Sequence, residues 1–440
     1  MKKNAASFLI MVFGLLTMHI HAQNSLYFME RMPQSLDYNP ALAPDIGFYL
    51  HMPGLSMFQA EIYNSGFSFG DLDEFMDRLE NENYDPDSFV RKIGASNQTY
   101  AETKVNLLGF GFRLKEKGYL SFSLSQRTTA RMNAPSNVVY LIYSAVNEDL
   151  EYLDDRLPIE IRGLDVEMNA FSQLAVTWSR KVGDHLTIGI SPKLIGGMGA
   201  LKSSNLNARL TREWIEEEFG SYYEYETDYS GSALVGLPVP VNPDDIGENN
   251  ELNDDADLLP DDWSGLYGPG KLFQNAALAF DIGVKYVLNE RWYFSASLLD
   301  LGNTSWKKNG YKIEFNQDAG KLYDDQTFKV KIPARLYAGA SYSLSSRWNA
   351  GMLIRHVFHE DQGFTSATLS MNGYIGRMLS ATFSYTASHT WDNLGVGLRL
   401  RILPGNDLYV VTDNMLQLIN YKDSRHASVA FGLNMSFGGR

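Results

Sequence analysis

The strongest constraint on this chain is a period-two alternation of apolar and polar residues that returns, segment after segment, from Lys104 to the end. In GYLSFSLSQR, Leu120, Phe122 and Leu124 share one parity, and Ser121, Ser123 and Ser125 the other. In NAALAFDIGVKYVL the apolar parity is Ala276, Leu278, Phe280, Ile282, Val284, Tyr286 and Leu288, against Asp281, Gly283 and Lys285. DNLGVGLRLRIL sets Leu394, Val396, Leu398, Leu400 and Ile402 against Gly395, Gly397, Arg399 and Arg401. HASVAFGLNMSF places Ala427, Val429, Phe431, Leu433, Met435 and Phe437 on one face. Side chains of a strand point alternately to its two faces, so each run predicts a strand with one apolar face.

The connections alternate too. Tight turns are expected at KEKG (115–118), GDH (183–185), NER (289–291), SSR (345–347), GR (376–377) and PGN (404–406). Between these pairs lie mostly longer links, near 129–169, 198–273, 302–327, 359–363, 389–391 and 413–425. Short turns at one end and longer loops at the other are the mark of a barrel inserted in a membrane from one side. Six hairpins, a closing strand at 426–437 and one ascending strand within 46–69 make about 14 strands. The segments NLNARLTREW and YYEYETDY within 205–229 offer a further hairpin, so roughly 12 to 16 strands cover the pattern. The predicted fold is all-β: a transmembrane antiparallel β-barrel over residues 46–440.

The chain opens MKKNAASFLIMVFGLLTMHIHAQN, with Lys2 and Lys3 before an apolar run too short to span a bilayer and Ala22 before a cut. Residues 1–22 therefore read as an export signal peptide, cleaved on the way to the outer membrane. The chain has no Cys, which excludes a lipid anchor on Cys, disulfides and thiolate metal sites. It carries 38 basic and 52 acidic side chains; without Lys2 and Lys3 the balance is 36 − 52 = −16. Such an acidic chain is not expected to bind nucleic acid. No later apolar run is long enough for a transmembrane helix, and 25 Tyr with 24 Phe suit the aromatic girdles of a barrel.

Residues 23–45 precede the first strand and contain Pro33, Pro40 and Pro44. Irregular backbone survives at membrane depth only inside protein or along a wet cavity. A barrel of about 14 strands has room inside, so 23–45 is expected to form a plug or hatch. The motif Asn39, Pro40 and Ala41, after an export signal and before about 14 strands, resembles the long-chain fatty-acid transporter (FadL) superfamily, which includes the PorV-type barrels of type IX secretion. SLYFMERMPQSLDYNPALAP, FYLHMPGLSMFQ, LLDLGNTSW and LYVVTDNMLQLINY look closer to a Bacteroidota-type family of outer-membrane proteins with a domain of unknown function. The resemblance covers most of the chain after the signal and implies the barrel and the plug. The chain departs from the usual aromatic terminus by ending SFGGR, so Phe437 is expected to serve as the terminal aromatic.

The non-apolar parity of the strands supplies inward-facing charges: Arg113, Arg127, Lys181, Lys193, Lys285, Lys329, Lys331, Arg335, Arg355, Arg399 and Arg401, with Asp281 the clearest acid. A basic lumen is expected. Arg113, Lys181, Lys285, Arg399 and Arg401 lie near the short turns, where a plug bearing Glu30, Asp37 and Asp45 would meet them. The bases either pair with the plug or hold the anionic head of a ligand. Pro192, Gly196, Gly197 and Gly199 in ISPKLIGGMGA mark an edge distortion. By the same resemblance, in which a strand kink opens a lateral exit, they are also a gate candidate.

No cofactor, metal site or catalytic constellation is expected. NPDDIGENNELNDDADLLPDDW (242–263) holds nine acids but lacks the Gly and terminal Glu of an EF-hand, and reads as a solvated outer loop. GLYGPGKL (265–272) has Leu272 where a P-loop needs Ser or Thr. His356 and His359 in HVFHE do not form HExxH, and no G-x-S-x-G occurs. Two functions stand open. One is a FadL-like channel for small hydrophobic or amphiphilic molecules, which requires a continuous apolar-walled pocket from plug to lateral opening. The other is a non-transporting PorV-like scaffold or cargo-shuttle subunit with protein partners in an outer-membrane secretion or assembly complex. That reading requires a filled lumen and an apolar outer patch, for which WSGLYGPGKLF is the candidate.

Overall fold

Every strand of the wall pairs antiparallel with the next wall strand along the chain, in places across an intervening outer hairpin. The computed structural model describes residues 24–79, 84–115, 118–147, 151–217, 220–243, 246–251, 253, 269–316, 320–359, 363–376, 378–388, 392–415 and 420–438. The expected signal peptide, most of the acidic stretch 242–263 and most of WSGLYGPGKLF lie outside these residues. The strands are β1 (Phe48–His51), β2 (Phe58–Asn64), β3 (Ser96–Leu114), β4 (Gly118–Pro135), β5 (Ile159–Val182), β6 (Leu186–Glu217), β7 (Gly220–Gly236), β8 (Ala276–Val287) and β9 (Trp292–Trp306). They continue as β10 (Gly310–Phe315), β11 (Gly320–Tyr323), β12 (Phe328–Lys331), β13 (Ala334–Ser343), β14 (Trp348–Phe358), β15 (Phe364–Ile375), β16 (Leu379–Ser388), β17 (Asp392–Leu403), β18 (Asn406–Thr412) and β19 (His426–Phe437).

Fourteen strands close the barrel. The first is split: β1 and β2 both pair with β3 on one side and β19 on the other, so Phe48 faces Phe112 and Phe437, and Phe58 faces Val105 and Phe431. The wall then runs β3, β4, β5, β6, β8, β9 and β13 to β19. Closure leaves no unpaired edge in the wall, the condition for strands to cross lipid. Among the described residues no helix is long and apolar enough to do so.

The alternation sorts as expected. On β8, Leu278 is 62 % exposed and Ile282 49 %, while Asp281 between them is buried. Phe383, Leu369 and Leu398 continue the same outward apolar belt. Trp292 and Trp348 open β9 and β14 just after their turns, in an aromatic rim at the short-turn end.

The longer links hold more structure than loops. β4 and β5 reach into the segment expected to be loop at 129–169, and β6 continues to Glu217, where β7 returns along it from Glu217↔Gly220 to Ala200↔Gly236. The hairpin suggested by 205–229 thus exists as an outward extension, and the wall stays at 14 strands. β10 pairs with β7, β11 with β10, and β12 with the outer part of β9. Helices Phe69–Arg78, Asp87–Ile93 and Val138–Val146 form a cap with its own core, in which Phe75 stacks on Phe89 at 4.5 Å. Ser68 and Asp71 close the first helix with a reciprocal capping box.

Candidate functional site

The interior is built in three tiers, beginning at the short-turn end. There residues 24–46 run beside the inward parity of the wall, nearly all of them buried. The backbone N–H groups of Asn24 and Ser25 donate to the Asp413 carboxylate at 2.7 and 2.8 Å. Tyr27 stacks on Tyr337 at 5.7 Å and shares a hydrogen bond with Ser295 at 2.7 Å. Asn39 accepts from the Ala41 N–H at 2.9 Å and donates to the carbonyls of Val284 and Ala296, each at 3.2 Å. A Cβ at Gly283 or Gly189 would collide with Asn39 or Pro40. The Asn39, Pro40 and Ala41 motif therefore seats where two inward-facing glycines leave the wall thin.

Four charges of this segment meet the wall. Asp37 pairs with Lys104 at 2.7 Å, Asp45 with Arg113 at 2.8 Å and Glu30 with Lys285 at 3.5 Å; Arg31 lies 3.8 Å over the Tyr374 ring. Arg399 and Arg401 turn instead to Asp407, at 2.7 and 3.0 Å. Lys181 lies exposed beside its turn, and Lys329 is exposed on β12.

The middle tier corrects the expectation of a basic lumen. Arg127 pairs with Glu102 at 2.8 Å and Asp300 at 3.0 Å. Arg335 pairs with Asp300 at 2.6 Å and Glu102 at 3.4 Å, and Lys193 with Asp300 at 2.6 Å and Asp281 at 2.7 Å. Arg355 clasps Glu61 with two bonds of 2.9 Å, and His426 stands 3.5 Å from the same carboxylate. All of these groups are buried. Four bases here face four acids, so the layer is balanced, as removal of charges from water demands. Glu61 and Arg355, like Glu102 and Arg335, come from strands six places apart around the wall. The ion pairs therefore bridge the lumen from side to side.

Glu61, Glu102 and Asp300 are the acids of this layer that the sequence reading missed. Glu61 and Glu102 precede the clear alternation at Lys104. Asp300 shares the parity of Phe294, Ala296 and Leu298, which would send it outward. In the structure it adopts φ +62° at a bulge, where the β8–β9 register shifts between Phe280 and Ile282, and its side chain turns inward.

Beyond that layer lies a cavity of about 220 Å³. Its lining mixes inward groups, Arg131, Glu167, Asp300 and His359, with Leu301 and Phe358 from the outward belt. The wall is irregular there. β9 pairs with β13 up to Arg335↔Leu299 and resumes with β12 at Lys331↔Asn303; between them Pro333 has no N–H to offer. His359 follows β14 and sets its ring edge-on to Tyr100 at 5.0 Å. Burial, and then the charge of Arg131, push its imidazole down to about 4.

The gate candidate named from the sequence, Pro192 with Gly196, Gly197 and Gly199, is packed at two of its three glycines. Pro192 interrupts the β5–β6 register between Ile190 and Lys193, and β6 exchanges β8 for β7 between Gly196 and Ala200. Buried Trp306 packs where a Cβ on Gly197 would stand, and the Leu272 carbonyl fills the space beside Gly196. A Cβ on Gly199 would meet only Ala170. His356 faces outward and shares a hydrogen bond with Thr365 at 2.8 Å.

A family model described as a family of unknown function (DUF5723) matches residues 40–323 and 313–413. No curated protein matches the chain. Among solved structures, a Pseudomonas aeruginosa FadL homologue aligns at 9% identity over 93% of this chain and 95% of that one, with a TM-score of 0.45. The Pseudomonas putida toluene transporter TodX aligns at 9% identity over 94% and 97%, with a TM-score of 0.42.

Proposed function

The chain belongs to the family of unknown function DUF5723, and we propose that it is an exported outer-membrane β-barrel that passes small hydrophobic or amphiphilic molecules, with residues 24–45 as its plug. The observation that carries this reading is the cavity at the β9–β13 irregularity, lined from both faces of the wall. A molecule in the lipid meets Leu301 and Phe358; one inside meets Arg131 and His359. The Asn39 contacts and the Asp37–Lys104 and Asp45–Arg113 pairs suit a plug that holds the inner mouth. Membrane lipids are the surrounding partner, and no catalytic role is assigned.

A liposome assay tests the passage. Vesicles bearing the full barrel should accumulate the apolar fluorophore N-phenylnaphthylamine faster than vesicles bearing a heat-unfolded sample of it. Equal rates would remove the transport reading.

A second reading, a PorV-like scaffold or cargo-shuttle subunit, draws support from the ion pairs that bridge the lumen. Under that reading the barrel should co-purify from native membrane with stoichiometric protein partners, and lipid-phase probes should pass no faster than through bare vesicles.

A further inference from the structure

Residues 24–45 carry three acids and a single base, Arg31. Each acid meets a cation: Glu30 pairs with Lys285, Asp37 with Lys104 and Asp45 with Arg113. Among the described residues the base meets no acid. Arg31 is exposed, and its guanidinium stands over the Tyr374 ring, where the wall presents a second arginine.

The strand register fixes that arrangement. Tyr374, Ser380 and Arg399 pair directly across β15, β16 and β17, in one row of the inner face. Arg31 covers one end of the row and Arg399 forms the other, with Ser380 between them. Adjacent strands are about 4.8 Å apart, so an ion lodged over Ser380 reaches both guanidiniums. A small space of about 10 Å³ opens here, with Arg31, Tyr374, Ser380, Thr382 and Arg399 around it and no acid among its described lining residues.

The charge is unbalanced as well. Asp407 serves both Arg399 and Arg401, so with Arg31 three guanidiniums share one carboxylate. Arg399 is 8 % exposed, and its Nε is buried with no hydrogen-bond partner among the described residues. A buried donor left unpaired is costly, and two like charges set close together repel unless an anion stands between them. The ion-pair layer deeper in the lumen shows no such surplus.

We propose that Arg31, Ser380 and Arg399 bind a phosphate group, and that the bound phosphate latches the N-terminal segment to β15, β16 and β17. Guanidinium forks match phosphate oxygens in pairs. A phosphate monoester brings a charge of about −1.5 to −2 at neutral pH, close to the surplus of two cations, whereas a carboxylate cancels only one. The space admits about one oxygen, the size of a water, so the group enters by an edge and any body it carries extends into the mouth. A free phosphate and the headgroup of phosphatidic acid share that chemistry. The proposal rests on the plug of the proposed function and not on passage.

Inorganic phosphate is the probe, titrated by calorimetry into the full barrel in detergent, with acetate at matched ionic strength as comparator. Phosphate should bind saturably, at least tenfold more tightly than acetate, and should slow proteolytic cutting within 24–45 at least threefold. Arg31→Gln should weaken phosphate at least tenfold and abolish that protection, and Ser380→Ala should weaken it about threefold. Heat-modifiable migration checks that each variant is assembled. No saturable binding, equal affinity for acetate, or full binding by Arg31→Gln would overturn the latch. Rapid cutting within 24–45 at every phosphate concentration would show that the plug itself is not seated; slow cutting without phosphate binding overturns the latch alone. Binding lost in phosphatidylcholine discs that contain phosphatidic acid, and kept in discs without it, assigns the site to a headgroup. Binding kept in both assigns it to a free phosphate. Phosphate binding without uptake of N-phenylnaphthylamine sinks the passage reading and keeps the site.

Discussion

The backbone N–H of Asp300 donates to the carboxylate of Asp281 at 2.7 Å, so two acids from adjacent strands meet inside the wall. Lys193 closes the group, 2.7 Å from Asp281 and 2.6 Å from Asp300. The left-handed backbone of Asp300 creates the geometry: it turns its own side chain into the lumen and aims its N–H at Asp281. Asp and Asn tolerate that conformation better than other residues with a side chain.

Asp300→Ala should therefore be the most damaging single change in the layer. It removes the shared partner of Arg127, Arg335 and Lys193 and forces Ala into a left-handed conformation. A loss of about 3–5 kcal/mol is expected from the unpaired buried charge. Asp300→Asn keeps the backbone and part of the hydrogen bonding, so it should fall between Ala and the parent. Thermal unfolding in detergent, followed by tryptophan fluorescence, gives the order; a variant order of Ala above Asn would refute the account.

The Glu61–Arg355 clasp allows a cleaner test of charge burial. Glu61→Leu alone strands Arg355 and should cost about 3–5 kcal/mol, whereas Glu61→Leu with Arg355→Met should recover most of it. Equal unfolding temperatures for the single and the double variant would show that the pair is not the source of the loss.

At the inner mouth, Asn39→Ala deletes two bonds to strand carbonyls, each worth about 1 kcal/mol. Gly283→Val places a side chain where Asn39 stands and should displace the segment outright. Both should expose residues 24–45 to added protease, Val more than Ala, while the barrel still migrates as a heat-modifiable band. Unchanged protection in Gly283→Val would mean that the segment is held elsewhere.

Removal of the segment alone leaves the layer of ion pairs in place. Deletion of 24–45 should thus raise single-channel conductance only modestly, and deletion combined with Asp300→Ala should raise it further. A full-sized open channel from the deletion alone would show that the ion pairs are no barrier.

His359 gives the pH dependence. Unfolded, its imidazole titrates near 6.5; folded, burial and Arg131 hold it at about 4. Between those values the unfolded chain binds the extra proton, so stability rises with pH. The His359 contribution is complete above about 6.5 and is lost as pH falls toward 4. The unfolding temperature should be lower near pH 4.5 than near pH 7, and His359→Leu should shrink that difference. An unchanged difference in the variant would assign it to other groups.

Much of this architecture is legible from residue parity. β8 and β17 sort their side chains as the alternation dictates, because a one-residue slip would put Asp281 or Arg399 into lipid. The tight turns fall where Gly183 and Gly405 take positive φ. What parity cannot supply is partners across the lumen. Arg355 and Arg335 are recognisable as inward bases, but Glu61 and Glu102, on strands far away in sequence, are brought to them only by closure. Asp300 is hidden for a different reason: a bulge resets the alternation within β9. The cap helices escape the period-two reading because their apolar residues recur at helical spacing between two strands.

The reciprocal amide pair between Gln34 and Asn434 has a consequence for assembly order. Gln34 donates to the Asn434 side chain at 2.7 Å and to the Ser56 carbonyl at 3.1 Å, and Asn434 donates back at 2.9 Å. Ser56 lies in the gap between β1 and β2, and Asn434 on β19, so the three groups come together only at the seam where the chain's beginning and end are zipped. A contact spanning 400 positions carries a large loop-closure entropy. The N-terminal segment therefore cannot complete these contacts until β19 stands beside the β1–β2 gap, which couples the seating of the segment to closure of the seam.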